Sequence, residues 1–277
     1  MRTPTCFLKN YSEFPHKASV RSLLRDCVIR GISPTKRWSR RPAVRLFYCH
    51  YVFDDQVEEF QRKILFLKSH GRFVTDNEII EIVTTRREVN ENIFHISFDD
   101  GFRNIIKNAL PVLSKHQIPS TFFVPTAIIG ADYSTVRDYC LNTTNYPRVI
   151  EIASWDDLKL ASSHGMSIAS HTRTHKRFSE ISSDLSRLEE EIVGSKEDLE
   201  RNLGEPCRHI SWPYGSIHDA DEASLKFVRD AGYASCFGAY RGSVNPNETS
   251  PFYLPRHHFE PQWPRSHFTY FAKGGNE

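Results

Sequence analysis

Residues 94–101 read FHISFDDG, an apolar, β-prone run that ends on two adjacent carboxylates and a glycine. The run predicts a buried strand. Asp99 and Asp100, which end it, repel one another and lose hydration if they are enclosed, so a buried pair needs a compensating charge. A strand that leaves the core into an acidic turn is the simpler interpretation, because Asp and Gly are ordinary turn residues.

Short apolar runs alternate with helical patterns from residue 45 onward. They predict strands at residues 44–52, 92–98, 120–125, 166–170, 209–215 and 234–240, and helices at residues 54–71, 103–117, 154–165, 184–204 and 220–232. This alternation predicts an α/β domain with a largely parallel sheet, either doubly wound or closed into a barrel. In both architectures the carboxyl ends of the strands carry the chemistry. Asp99 and Asp100 lie at such an end, which favours a functional site.

The segment SHTRTH, residues 170–175, also follows a predicted strand. His171 and His175 are four residues apart, so one helical turn, or a loop folded like one, can aim both imidazoles at one point. An isolated pair with this spacing is common by chance, but its place after a strand matches that of Asp99 and Asp100. Two imidazoles and a carboxylate suit Zn²⁺ or a similar divalent ion. One aspartate would then be a ligand, and the other a base for water that the ion activates.

A third segment, ISWPYGS at residues 210–216, ends another predicted strand. Pro213 and Gly215 shape a tight turn, which could present the backbone N–H of Tyr214 to a developing oxyanion. Without the other two segments, this one predicts only a turn with aromatic packing.

Together the three segments resemble the polysaccharide deacetylases of carbohydrate esterase family 4, which carry the NodB-homology domain. SFDDG resembles the family's TFDDG motif with Ser97 in place of Thr, SHTRTH matches H-[ST]-x-x-H, and WPYGS resembles the third motif of the branch that has aromatic-Pro-Tyr-Gly. LFYCHYV and YLPRHHF resemble the opening strand and the closing Leu-Pro-Arg strand of one branch. The resemblance covers residues 45–262 and implies a distorted (β/α)7 barrel.

The resemblance also implies roles for particular residues. Asp99 would be the general base, while Asp100, His171 and His175 would bind one divalent metal ion, with Zn²⁺ expected. Tyr214 is suggested for the oxyanion.

Three further assignments concern the third motif and the end of the chain. Tyr214 and Trp212 are predicted to contact the substrate. Ser211 stands where the better-known branch has an arginine. We therefore expect Arg256 to hold Asp99 in place.

Three residues are candidates for the acid that protonates the leaving amine: His257, His258 and Asp99. Neighbouring strand residues face opposite sides, so counting by twos from Arg256 favours His258. Leu254 and His258 also echo the Leu-x-Leu-x-His motif that carries the acid in much of the family, although Arg256 replaces its middle leucine.

The predicted activity is metal-dependent removal of an N-acyl group, most simply acetyl, from an amino sugar in a polysaccharide, oligosaccharide or glycan precursor. Residues 131–153 look like an insertion that could cover the site and narrow the substrate range. One alternative is a related metal-dependent hydrolase of a non-sugar amide or cyclic ureide. The other is a non-catalytic saccharide-binding module, which would have no need for the base.

Charge is distributed unevenly along the chain. Residues 1–44 carry ten Lys or Arg against two acidic residues, a balance of +8, so the remainder carries −6 of the net +2. This predicts a basic arm at 1–44, either solvated or in contact with an anionic membrane, before a deacetylase domain at 45–277. The chain shows no secretory-signal core and no run of 18 apolar residues, so we expect a cytoplasmic location. We expect no nucleic-acid partner, because no binding motif accompanies the arm.

Overall fold

Strands and helices alternate along the computed structural model, which describes residues 27–39 and 41–275. The strands are Val44–Cys49 (β1), Arg72–Phe73 (β2), Ile93–Phe98 (β3), Ser120–Val124 (β4), Met166–Ser170 (β5), His209–Ser211 (β6), Ser235–Phe237 (β7) and His257–His258 (β8). The helices are Val57–Lys68 (α1), Asp76–Thr84 (α2), Leu110–Lys115 (α3), Tyr133–Asp138 (α4), Trp155–Ser163 (α5), Phe178–Ile181 (α6), Leu185–Leu188 (α7), Gly194–Leu203 (α8), Glu222–Asp230 (α9) and Arg265–Ala272 (α10). Residues 27–32 are also helical.

The eight strands form one sheet whose named strand pairs are all parallel. Their order is β7-β6-β5-β4-β3-β1-β8, with β2 beside β3 and outside this path. A parallel bridge between Phe237 in β7 and Leu254, just before β8, joins the two ends of the path. The sheet therefore curls into the distorted (β/α) barrel that the resemblance implies, with seven strands in the path. A doubly wound sheet, the other architecture compatible with the sequence, would leave its edge strands apart.

Alternation along β3 explains how the strand serves both the core and the site. Phe94, Ile96 and Phe98 belong to the main hydrophobic core, which also contains residues of the surrounding helices. Ser97 and Asp99 lie on the opposite face, inside the barrel. Because side chains in a strand alternate between faces, the apolar run itself aims Asp99 into the barrel at the carboxyl end of the strand.

The predicted elements are confirmed, with differences at their ends. The helix predicted over residues 184–204 is divided into α7, a π-helical turn at Glu189–Val193, and α8. A π-helical turn at Ile105–Ala109 likewise precedes α3 and Pro111, which lacks the N–H of a regular helical hydrogen bond. β6 ends at Ser211, earlier than predicted, because the residues after it form the turn of the third motif.

Part of the predicted basic arm lies against the barrel. Ser33 Oγ donates to the carbonyl oxygen of Ser266 in α10 at 2.6 Å. The ring of Trp38 stacks on that of His70, just after α1, with 4.8 Å between centroids. Residues 1–26 and residue 40 lie outside the described residues, so the boundary at residue 44 stays a prediction. Among the helices that are described, none has the length and apolar character needed to cross a membrane.

Candidate active site

A cavity of about 650 Å³ lies at the carboxyl ends of the barrel strands. Residues from all three sequence motifs line it, together with residues of the predicted insertion and the last strand: Asp99, Asp100, His171, His175, Tyr214, Tyr146, His258 and Glu260. Catalytic residues of (β/α) barrels lie at this end of the strands. The cavity is therefore the candidate active site.

Asp100, His171 and His175 form a buried group on the cavity wall, called here the first ligand set. Oδ1 of Asp100 lies 3.3 Å from Nε2 of His175 and 3.6 Å from Nε2 of His171. Ligand atoms at about 2.0–2.1 Å from one tetrahedral ion lie about 3.3 Å apart. The three side chains thus have the spacing and the donor types that fit a divalent ion such as Zn²⁺.

Hydrogen bonds and burial keep the first ligand set in its ligating form. His171 Nδ1 lies 2.9 Å from the carbonyl oxygen of Ser211 and donates to it, which leaves Nε2 for an ion. Burial lowers the pKa of His175 by more than the hydrogen bond to Asp100 raises it, so this imidazole is neutral at pH 7. Burial alone would raise the pKa of Asp100, but the imidazoles of His171 and His175 beside it hold that pKa well below its ordinary value.

Several cavity residues have a left-handed backbone. The φ angle is 73° at Asp100, 56° at Asn145, 66° at His175 and 63° at Tyr214. This conformation costs a non-glycine residue of order 1–3 kcal/mol and persists where the surrounding structure enforces it, often at functional sites. Its concentration around one cavity is independent support for the site.

Asp99 pairs with Arg256 inside the barrel. Nη1 and Nη2 of Arg256 each donate to one carboxylate oxygen of Asp99 at 2.8 Å. The other donors reach Ser97 Oγ at 3.0 Å, Ser211 Oγ at 2.8 Å and the Gly238 carbonyl oxygen at 2.6 Å. All five N–H donors of the buried guanidinium are used, which holds its plane against the carboxylate. Arg256 lies where the sequence led us to expect it, and Ser211 accepts one of its hydrogen bonds.

The turn after β6 contributes another part of the cavity wall. The Tyr214 hydroxyl donates to the carbonyl oxygen of Thr143 at 3.0 Å, and the guanidinium of Arg177 lies 3.5 Å from the centre of the Tyr214 ring. A Cβ at Gly215 would lie 2.1 Å from the Cβ of Ala239, and the φ of Gly215 is 70°, so this position requires glycine. The role of the Tyr214 N–H at an oxyanion stays a prediction.

Trp212 lies beneath the same turn. Its side chain is fully buried, and Nε1 donates to the carbonyl oxygen of Ser216 at 3.1 Å. Its ring stacks on those of Tyr240 and Tyr253. The indole therefore supports the turn. Trp212 is also among the residues that line the cavity, and its contact with the substrate stays a prediction.

β8 presents His258 to the cavity and turns His257 away from it. The side chain of His258 is 31% exposed and lines the cavity. His257 is fully buried, with its ring beside that of Phe47. This is the orientation that alternation from Arg256 predicts. The role of His258 as the acid stays a prediction.

Two further cavity residues, His50 and Glu260, were not predicted from the sequence. Oε1 of Glu260 lies 2.7 Å from His50 Nδ1 and 2.9 Å from His258 Nε2, so one oxygen accepts from both rings. His50 directly follows β1, as Asp99 follows β3 and His171 follows β5. This position at a strand end was the signal that could have identified it.

The three members of this cluster, His50, His258 and Glu260, differ in their protonation at pH 7. Burial alone would lower the pKa of His50, but the hydrogen bond and charge of Glu260 raise it to about 9. Burial is the larger effect at His258 and lowers its pKa despite Glu260. Burial alone would raise the pKa of Glu260, but hydrogen bonds from His258 and His50 hold it below its ordinary value. At pH 7 the cluster therefore holds a protonated His50, a neutral His258 and an ionised Glu260.

The predicted insertion, residues 131–153, contacts the first ligand set directly. The Tyr146 hydroxyl donates to Oδ2 of Asp100 at 3.0 Å, and the Tyr139 hydroxyl donates to the Asp100 carbonyl oxygen at 3.3 Å. The Tyr139 ring also meets the His175 ring edge-on, with 5.8 Å between centroids. Tyr146 engages Oδ2 of Asp100. The other carboxylate oxygen, Oδ1, faces the two imidazoles and is therefore left for an ion. The sequence suggested that the insertion covers the site, but not that it holds a ligand.

Comparison with known proteins identifies the family. A sequence model matches residues 86–236, and its family is described as polysaccharide deacetylase. The match covers more than half of the chain and includes all three motifs. The chain belongs to the polysaccharide deacetylase family. Three cavity residues of this chain lie outside the matched range: His50, Arg256 and His258. Their assignment therefore rests on the geometry described above.

Curated relatives of this chain include poly-beta-1,6-N-acetyl-D-glucosamine N-deacetylases of staphylococci. The Staphylococcus aureus (strain MRSA252) protein is 25% identical over 201 residues, which make up 72% of this chain and 65% of that protein. The Staphylococcus epidermidis protein is 28% identical over 210 residues, 75% of this chain and 68% of that protein. The chain thus spans somewhat less than two thirds of the length of the S. aureus relative.

Solved structures share the fold of this chain at low sequence identity. IcaB from Ammonifex degensii superposes with a TM-score of 0.66 at 20% identity, covering 84% of this chain and 98% of that one. A de-N-acetylase from Aggregatibacter actinomycetemcomitans gives a TM-score of 0.64 at 16% identity, covering 82% and 99%. These similarities support the barrel assignment.

Proposed function

We propose that the protein is a metal-dependent deacetylase that removes N-acetyl groups from a glycan of β-1,6-linked N-acetylglucosamine. One observation carries the proposal: a metal-ligand set at tetrahedral spacing stands beside Asp99, a second carboxylate held by a buried arginine. The activity named for the staphylococcal relatives supports the substrate class.

The first ligand set would hold the ion, with Zn²⁺ the best match to two imidazoles and one carboxylate. A divalent ion bound there supplies Lewis-acid polarisation and activates water at neutral pH. Tyr146 keeps Asp100 ligating through one oxygen only, since its hydroxyl engages the other.

Asp99 is the proposed general base. Each of its oxygens accepts one N–H from Arg256, and a carboxylate oxygen offers about two acceptor sites, so each retains one for water. Arg256 is a positioning residue because it acts through Asp99. The guanidinium compensates the charge of the base and prevents the carboxylate from rotating.

Two other parts of the cavity wall are proposed to stabilise the oxyanion and to protonate the leaving amine. The backbone N–H of Tyr214 would stabilise charge that develops on the acyl oxygen. The amine would receive its proton from the cluster of His50, Glu260 and His258. His50 is the member that carries a proton at pH 7, and Glu260 joins the two rings through one oxygen, so we assign the proton source to this cluster as a whole.

Residues 131–153 are proposed to limit the substrate range. The hydrogen bond from Tyr214 to Thr143 joins the insertion to the turn of the third motif beside the cavity. A glycan must therefore pass the insertion or displace this contact to reach Asp99. This argues for a defined number of sugar units around the reacting N-acetyl group.

Acetate release is the direct test of the activity. The full-length protein, stripped with a chelator and reloaded with one equivalent of Zn²⁺, should release acetate from a β-1,6-linked N-acetylglucosamine oligomer. Release from the β-1,4-linked oligomer of equal length should be slower. The Asp99→Asn variant is the matched control, with turnover expected to fall about 10²- to 10⁴-fold. Equal release by the variant, or none from any N-acetylated glycan, contradicts the proposal.

We further propose that residues 45–277 form the catalytic domain and that residues 1–44 contact an anionic membrane. The charge balance of +8 supports this role, since each basic residue near such a surface contributes about 1 kcal/mol. Co-sedimentation of the full-length protein with anionic vesicles should decrease as salt is raised from low to 0.5 M, because salt screens the attraction. Pelleting that does not respond to salt contradicts the proposal.

A further inference from the structure

His50, His258 and Glu260 form a second group of metal-ligand type, called here the second ligand set. Their ligand atoms Nδ1, Nε2 and Oε1 all lie within 4.8 Å of one another. All three side chains line the same cavity as the first ligand set. Two imidazoles and a glutamate are also the protein ligands of known hydrolytic zinc centres.

Glu260 has an oxygen that the protein leaves unsatisfied. The residue is 5% exposed, and its Oε1 accepts from both histidines. Its Oε2 has no hydrogen-bond partner within residues 27–39 and 41–275. Buried polar atoms without partners are rare and point to a group that the chain itself does not supply. A cation next to this carboxylate would satisfy the oxygen.

We propose that the second ligand set binds a second divalent cation, more weakly than the first set binds its own, and that this ion inhibits the enzyme. The two sets differ in spacing. In the first set the carboxylate oxygen lies 3.3 and 3.6 Å from the two nitrogens, close to the tetrahedral separation of about 3.3 Å. In the second set these distances are 2.7 and 2.9 Å, which are hydrogen-bond lengths. An ion must therefore displace protons and separate the ligand atoms by about half an ångström.

Protons occupy these ligand atoms before the ion binds. Nδ1 of His50 and Nε2 of His258 both lie at hydrogen-bond distance from Oε1 of Glu260, so an ion at these nitrogens must take the place of the protons in those two bonds. Competition with bonds that are already formed makes the second site the weaker one.

Charged groups near the second ligand set include Asp99 and Asp100 after β3 and Arg241 before β8. The two carboxylates favour a cation and the arginine opposes it.

Inhibition by the second ion is the part of this inference that rests on the proposed function. An ion on His50 and His258 would remove the proton intended for the leaving amine and occupy the path by which it is delivered. Activity should then rise up to one equivalent of Zn²⁺ and fall as the second ligand set fills.

Isothermal titration calorimetry of the full-length protein with Zn²⁺ at pH 7 tests the site without reference to activity. We expect two binding events of different affinity. Glu260→Gln and His258→Ala should each lose the weaker event and keep the tighter one. Asp100→Asn should lose the tighter event. His164→Ala, which removes an exposed histidine just after α5, is the matched control and should keep both.

The outcomes separate this inference from the proposed function. A single event in the wild-type protein overturns it, as does a weaker event that persists in both Glu260→Gln and His258→Ala. If circular dichroism shows that one of these variants is unfolded, the other decides. Two events without inhibition by the second ion contradict the inhibitory role and the proposed proton source. One activating equivalent followed by inhibition supports both.

Discussion

Replacing Arg256 with Met would leave the carboxylate of Asp99 buried without its partner. Arg256 is fully buried, Asp99 is 3% exposed, and two N–H···O bonds of 2.8 Å join them. Met retains an unbranched apolar stem but none of the donors. Removing one partner from a buried ion pair costs about 3–5 kcal/mol, because the remaining charge is no longer compensated.

This cost converts into a measurable change in thermal stability. For a domain of this size, 1 kcal/mol corresponds to about 2–4 °C in Tm, so Arg256→Met should lower the Tm by about 6–20 °C. Circular dichroism in the presence of a chelator is the assay, since a bound ion would offset part of the loss. The double variant Asp99→Asn/Arg256→Met lacks the stranded charge and should unfold at a higher temperature than Arg256→Met.

Two results would refute this reasoning. One is a Tm of Arg256→Met within about 2 °C of that of the wild type, which is the range expected for a surface change. Arg62→Met, at a position whose side chain is 63% exposed on α1, provides that comparison. The other is a double variant that is no more stable than Arg256→Met, which would mean that Asp99 is not the source of the cost.

Three other changes separate the roles of cavity residues. Asp99→Asn should keep the metal in equilibrium dialysis and lose most turnover, whereas Asp100→Asn should lose the metal itself; identical behaviour of the two variants contradicts this division. Tyr146→Phe should weaken Zn²⁺ binding about 10- to 100-fold by freeing Oδ2 of Asp100, and unchanged affinity would contradict the role of the insertion. In the presence of a chelator, the protonation of His50 should contribute up to about 3 kcal/mol to the free energy of unfolding. This contribution should be fully present below pH 6.5 and should be lost as the pH rises through about 9. Urea unfolding at pH 6 and pH 9 should therefore show less pH dependence in His50→Gln than in the wild type.

The sequence alone determined most of the motif residues at the site. Asp99, Asp100 and His171 were recognised because they follow predicted strands, and Tyr214 because it lies in the turn that ends one. The physical reason is that parallel strands present their carboxyl ends on one rim, so position after a strand suffices to bring such residues together. Alternation along the last strand likewise oriented His258 toward the cavity, since the side-chain period of a strand is a local property.

Only the tertiary structure decided which residues those motifs meet. The choice between a closed barrel and a doubly wound sheet depends on the bridge between Phe237 and Leu254, and no local periodicity encodes whether two edge strands join. His50 meets His258 because β1 pairs with β8, strands more than 200 residues apart in the chain. Tyr146 reaches Asp100 through a loop whose path is set by packing. Trp212 is buried for the same reason, because the fate of an aromatic residue beside a turn depends on what the rest of the chain packs over it.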